Sequence, residues 1–259
     1  MHLGAVTFNV LKDWDLETII EKLGEIGYEA VELRTGHKHG VEPSLGQAER
    51  EQVRRRFEAG KVRLLSYGTA CDLHSPDDQE RAAAVAVAKQ FIDLARDTGA
   101  LGVKVRPNGL PEGVPREVTI GSIAGALREL GDYSGPKGIE IWLEVHGRGT
   151  NHYAVIAEIM KAAKHDAVGV CWNSDSLDIV DGSVRQSFDT LRPWLKSAHI
   201  HELYGDYPYR EFFRLLRKSG YDRYTLIEAG ESCEPERFLR YYRALWMELA
   251  SKESPSPPS

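Results

Sequence analysis

Short apolar runs alternate with longer segments whose apolar residues recur at helical spacing, and the alternation repeats eight times along the chain. The short runs predict strands over 3–8, 29–34, 62–67, 102–106, 139–144, 168–173, 198–203 and 223–228. The amphipathic segments predict helices over 15–26, 45–59, 77–98, 117–131, 150–165, 183–195, 208–218 and 235–249. Asp15, Ser75-Pro76 and Glu234-Pro235 mark three helix starts, because proline suits a first turn that needs no intrahelical N–H. Gly27, Gly99 and Gly220 follow apolar helical runs and read as C-caps, where positive φ costs little. The phrases IGYEAVELR (26–34) and SGYDRYTLIEAG (219–230) share one design: a glycine stop, a tyrosine, then a strand carrying glutamate. Eight such units predict a single α/β domain, a (β/α)8 barrel over 1–250, followed by a disordered polar, proline-rich tail over 251–259. A doubly wound open sheet is the alternative, but GxGxxG after the first strand is missing.

Composition narrows the picture. No run approaches the ~18 apolar residues a membrane span needs. The opening MHLGAVTFNVL reads as a strand rather than a signal peptide. Three widely separated cysteines argue against a disulfide framework and fit a reducing, cytoplasmic setting. A net charge of −6, with basic residues scattered among acidic ones, disfavours nucleic acid as a partner. There is no GKS/T phosphate loop, GxSxG elbow or CxxC pair.

The candidate chemistry sits at strand ends. Glu144, Asn173, His201 and Glu228 each close, or nearly close, an apolar run, at intervals of 29, 28 and 27 residues. That interval is one strand, one helix and two loops, so the four side chains are expected to converge at the C-terminal mouth of a barrel. Two carboxylates, an imidazole and an amide oxygen form a mixed donor set suited to Mn²⁺ or Mg²⁺, with Co²⁺ or Zn²⁺ as alternatives. Each residue has a plainer reading: Glu144 leaving its strand into solvent, Asn173 forming an Asx-turn, and His199 with His201 as polar core residues of one strand face. Recurrence at four successive strand ends favours the metal. Asp175, of the same parity as Asn173, is the substitute ligand, and Cys171 reads as a small buried hydrophobe.

LEVHGRGT (143–150), CWNSDS (171–176), HIHE (199–202) and GYDRYTLIEAG (220–230) resemble the strand ends of xylose isomerase-like barrels, over roughly residues 1–250. That superfamily contains sugar isomerases, ketose 3-epimerases, inosose dehydratases and endonuclease IV-type enzymes. The resemblance implies metal ligation by glutamate, aspartate, histidine and glutamate, roles that fall on Glu144, Asn173, His201 and Glu228. Asn173 departs from the pattern, and it removes one negative charge from the site.

The expected function is a divalent-metal-dependent isomerase or epimerase acting on a sugar or polyol through an enediolate. Glu144 and Glu228, on nonadjacent strands, would act both as ligands and as acid and base. His37, Arg106, His146, Arg148 and His199 would bind the polyhydroxylated substrate around the mouth. The alternatives are inosose-type dehydration at the same site, a non-catalytic sugar-binding barrel suggested by Asn173, and phosphodiester cleavage, for which multiple metals and a DNA-binding surface are needed. Oligomeric state stays open, with a homodimer compatible.

Overall fold

The computed structural model describes residues 1–251, so the tail from residue 252 onward lies outside the described residues. The strands are β1 (His2–Asn9), β2 (Ala30–Arg34), β3 (Arg63–Asp72), β4 (Gly102–Arg106), β5 (Glu140–Glu144), β6 (Val168–Asn173), β7 (Leu195–Ile200) and β8 (Tyr224–Ala229). The helices are α1 (Leu16–Ile26), α2 (Gln47–Ala59), α3 (Asp78–Thr98), α4 (Arg116–Ser134), α5 (Tyr153–Ala163), α6 (Arg185–Leu191), α7 (Tyr209–Lys218) and α8 (Pro235–Ala250). All strand pairings are parallel and follow chain order, and β8 returns to β1 to close the barrel. This is the expected (β/α)8 fold.

Local chemistry explains the helix ends. Asp15 accepts the Thr18 N–H and opens α1, and Gly27, at φ +94°, closes it. Leu16, Ile19, Leu23 and Ile26 make one buried stripe between those caps. α3 starts slightly later than Ser75-Pro76, because Asp77 supplies the cap by accepting the N–H groups of Gln79 and Glu80. α6 is shorter than expected: Pro193 falls within a 3-10 turn, Arg192–Trp194, that ends the helical run.

Two apolar layers support the site. The larger lies between sheet and helices; there Trp172 stacks on Phe212 at 4.9 Å between ring centroids. The smaller fills the barrel interior with Val6, Ala30, Leu65, Trp142, Cys171 and Leu226. The Trp142 indole fits there because β4 presents Gly102; a Cβ at that position would lie 2.7 Å from the ring.

Two residues further along the same strand face, this plug gives way to polar groups. Ala30 is followed by Glu32, Gly102 by Lys104, Trp142 by Glu144, Ser197 by His199, and Leu226 by Glu228. Strand alternation therefore builds a polar layer directly above an apolar one, at the C-terminal end of the barrel.

Candidate metal centre

Glu144, His199 and Glu228 form the heart of the polar layer, each offering a ligand atom within 4.8 Å of the others. His199 Nδ1 lies 3.3 Å from Glu144 Oε1 and 3.3 Å from Glu228 Oε2, while its Nε2 lies 3.3 Å from Glu32 Oε1. On the opposite side, the Lys104 ammonium donates to Glu144 Oε2 at 2.6 Å. Glu32 takes a hydrogen bond from the Ser66 hydroxyl at 2.8 Å. Gly68 makes room for it, since a Cβ there would approach Glu32 Oε1 to 2.6 Å.

Asn173 and His201 adjoin this group on the solvent side. His201 Nε2 donates to Asn173 Oδ1 at 2.7 Å and lies 3.5 Å from Glu228 Oε2. The four residues singled out by spacing do gather at one place. The close-packed histidine, however, is His199, for which a substrate-binding role was expected, rather than His201. β7 stops at Ile200, three residues short of the expected end, so His201 stands beyond the strand with its side chain 42% exposed. His199 is fully buried.

The charges are strongly coupled. Burial pushes the Glu144 carboxyl up, but Lys104 and then His199 outweigh it and hold the pKa at about 2. Burial likewise opposes ionisation of Glu228, yet His199, His201 and Lys104 keep it well below the usual carboxylate range. For His199, burial favours the neutral ring, but Cys171 and the Glu228 and Glu32 carboxylates hold its pKa well above the ordinary value. Burial raises the Cys171 thiol's own pKa, so we give the carboxylates the larger part in that effect. Lys104 stays charged: burial opposes it, and Glu144, Glu32 and Glu228 overcome that.

The donor set fits a divalent cation. Two carboxylates and an imidazole converge, with an amide oxygen beside them. Both ring nitrogens of His199, and Glu32 Oε1, are buried without a hydrogen-bond partner. The His199 contacts are close enough for ion pairing but not aligned as hydrogen bonds. Such orphaned groups are costly unless an ion or water completes them. The cluster can therefore chelate a divalent metal.

The other expected residues ring the mouth in several states. His37 is hydrogen-bonded to Thr7 Oγ1 at 2.9 Å, and burial, then the neighbouring His39, push its pKa down to about 4. It is a neutral imidazole near pH 7. His39 is structural, donating to the Arg34 carbonyl and accepting the Val41 N–H. Arg106 is committed to Asp72, at 2.7 Å. Asp72 also accepts from Asn108, which in turn accepts from His146 at 2.8 Å. Arg148 is exposed and lines a separate cavity of about 360 Å³ with His74 and Asn108.

Sequence reasoning missed Lys104 and gave no role to Glu32. Lys104 had a signal: in GVKVR the charged residue has the inward parity, between valines that face the helices. A lysine buried inside a barrel strand needs a carboxylate partner, and Glu144 on the next strand supplies it.

Among solved structures, D-psicose 3-epimerase from Clostridium cellulolyticum H10, with D-tagatose, superposes with a TM-score of 0.83 at 15% identity, covering 97% of this chain and 100% of that one. A 3-keto-D-glucoside 4-epimerase from E. coli gives 0.81 at 15% identity, covering 96% and 99%. The IOLI protein, whose structure holds a zinc atom, gives 0.80 at 15% identity, covering 96% and 98%. At that identity the likenesses show a shared fold. No curated protein matches the chain. The family model described as xylose isomerase-like TIM barrel matches residues 20–244. With that match across most of its length, the chain belongs to the xylose isomerase-like TIM barrel family.

Proposed function

We propose that the protein is a divalent-metal-dependent isomerase or epimerase acting on a sugar or related polyol by proton transfer next to a carbonyl. The observation that carries this reading is the convergence of Glu144 and Glu228, from nonadjacent strands, on the same ring nitrogen of one buried histidine, each at 3.3 Å. Epimerases among the structures of the same fold support it. Glu144, His199 and Glu228 would hold the cation, with Asn173 and His201 at its edge; Mn²⁺ or Mg²⁺ suits the oxygen-rich set. A cation held by Glu144, His199 and Glu228 would supply Lewis acidity to a substrate carbonyl.

The two carboxylates are not equivalent. Glu144 is buried, with one oxygen held by Lys104 and the other facing His199. Glu228 is partly exposed, at 15%, and makes its close contacts through Oε2. We assign Glu228 Oε1 to remove and return the substrate proton, and Glu144, with Oε2 held by Lys104, to hold the cation through Oε1. His37 and His146 would hydrogen-bond substrate hydroxyls at the mouth, and Arg148 stays with the separate cavity it lines. Return to the same carbon gives epimerisation, return to the adjacent carbon gives isomerisation, and loss of a β-hydroxyl gives dehydration.

The test is α-hydrogen exchange with deuterated water, followed by NMR over a panel of ketoses, aldoses and inososes with Mg²⁺ or Mn²⁺. Exchange should occur with at least one sugar and fall by at least about a hundredfold in Glu228→Gln. Full exchange in folded Glu228→Gln and Glu144→Gln would sink both assigned roles. Asn173, an uncharged donor beside the cluster, favours a second reading, a sugar-binding barrel without turnover. That reading predicts sugar binding with no exchange across the panel. A small-molecule partner and a reducing compartment accompany either reading, and the described cysteines are all free.

A further inference from the structure

We infer that Lys104 is a resident cation of the metal centre: it holds Glu144 as a one-oxygen ligand and lowers the affinity of the site for divalent metal. This rests on the proposed metal site, although not on the sugar chemistry. The Lys104 and Glu144 side chains are each 3% exposed, and their 2.6 Å contact lies inside the barrel. Among the described residues, no other basic side chain reaches the Glu144 carboxylate except His199, which meets the opposite oxygen.

Two consequences follow from that arrangement. Because Oε2 is engaged by the ammonium, Oε1 is the oxygen left for a second cation, so Glu144 cannot chelate through both. The ammonium also places a positive charge within one carboxylate of any divalent ion, in an interior where charges interact more strongly than in water. Neighbouring Asn173 acts in the same direction, by contributing a neutral oxygen where a carboxylate would add charge. The result is a site already partly neutralised by the chain itself. It should bind metal weakly and reversibly rather than as a permanent structural ion.

The ammonium and the divalent ion compete for the same carboxylate charge, so removing Lys104 should have opposite effects on the two states of the protein. Without metal, Glu144 loses its partner in a buried setting and the fold is weakened. With metal, the repulsion is gone and binding tightens. A purely structural lysine would weaken both states together.

The experiment is calorimetric titration of Mn²⁺ into the full-length protein and into Lys104→Met, whose unbranched side chain keeps most of the buried stem. Thermal unfolding is followed with Mn²⁺ and with a chelator. Lys104→Gln, which can still donate to Glu144, is carried in parallel. Both variants should bind Mn²⁺ at least about tenfold more tightly. Both should melt lower than the parent in chelator and gain more than the parent on adding Mn²⁺. Equal or weaker affinity in a folded variant would overturn the inference. So would an absence of Mn²⁺ binding in parent and variants alike, or a failure of both variants to fold even with Mn²⁺. Titration needs no substrate: tightened binding without any isotope exchange would leave Lys104's role standing while sinking the sugar reading.

Discussion

His199 and His201 lie two residues apart in the chain, yet they serve different environments. His199 sits inside the barrel among three carboxylates, and His201 stands past the end of β7, bonded to Asn173. If His199 is the imidazole ligand, His199→Ala should weaken Mn²⁺ binding by about a hundredfold or more. His201→Ala should cost less than about tenfold, through lost orientation of Asn173 and Glu228. Calorimetric titration of the two variants compares them directly, and a larger loss in His201→Ala would return the ligand role to that residue. Sequence spacing brought attention to this histidine pair but could not choose its depth. The HIHE phrase gives both residues the same inward parity, and the choice hangs on where the strand ends, which the apolar pattern blurs because Ile200 and Leu203 continue it. Glu144 and Glu228 were legible because each is the last inward residue of a mostly apolar strand. Lys104 was harder to read, since one lysine among valines looks like an ordinary exposed position until the barrel closes around it.

At the scale of elements, the loops after β6 and β7 are tied together next to the site. Asp178, buried in the turn that follows β6, accepts the Asp175 N–H and the Tyr207 hydroxyl, each at 2.9 Å. Tyr207, from the loop before α7, in turn accepts the Trp172 indole N–H at 3.0 Å. Burial raises the Asp178 carboxyl to about 7, outweighing the hydrogen bonds that favour its charged form. The folded state therefore keeps a proton that the unfolded chain releases near pH 4. Stability linked to this group is present in acid and is lost as pH rises toward about 7. Asp178→Asn should match the parent near pH 4 and exceed it by about 4 kcal/mol at pH 8. Urea unfolding across that range would show this, and an unchanged pH slope in the variant would mean that Asp178 ionises normally. The sequence marked strand and helix order well, because each unit has its own apolar run and stop signal. It marked boundaries less well wherever tertiary contacts decide them. β3 runs on to Asp72, where the side chain pairs with Arg106 of β4, and no local pattern announces that partnership.

Across the whole molecule, the barrel keeps an apolar plug at one level and a charged layer at the next. The plug of Trp142, Leu226 and their neighbours supplies close packing, while Glu32, Lys104, Glu144, His199 and Glu228 leave polar atoms that the chain alone does not fully satisfy. The eightfold repeat made the first level predictable, because hydrophobic periodicity reports directly on packing. The second level is long-range: Lys104 and Glu144 are forty residues apart, and Glu32 reaches His199 only after the barrel has closed. No helix among the described residues is long and apolar enough to cross a membrane. A ligand that binds the folded layer and not the unfolded chain must stabilise the fold by mass action. Divalent metal at about a hundred times its dissociation constant adds about 2.7 kcal/mol, which for a chain of this length raises the melting temperature by roughly 5–10 °C. Addition of Mn²⁺ or Mg²⁺ should produce that rise, excess chelator should reverse it, and Glu144→Gln/Glu228→Gln should abolish most of it. A rise of the same size in that double variant would place the stabilising ion elsewhere on the molecule, since the two carboxylates are the charged groups that the cluster commits to a cation.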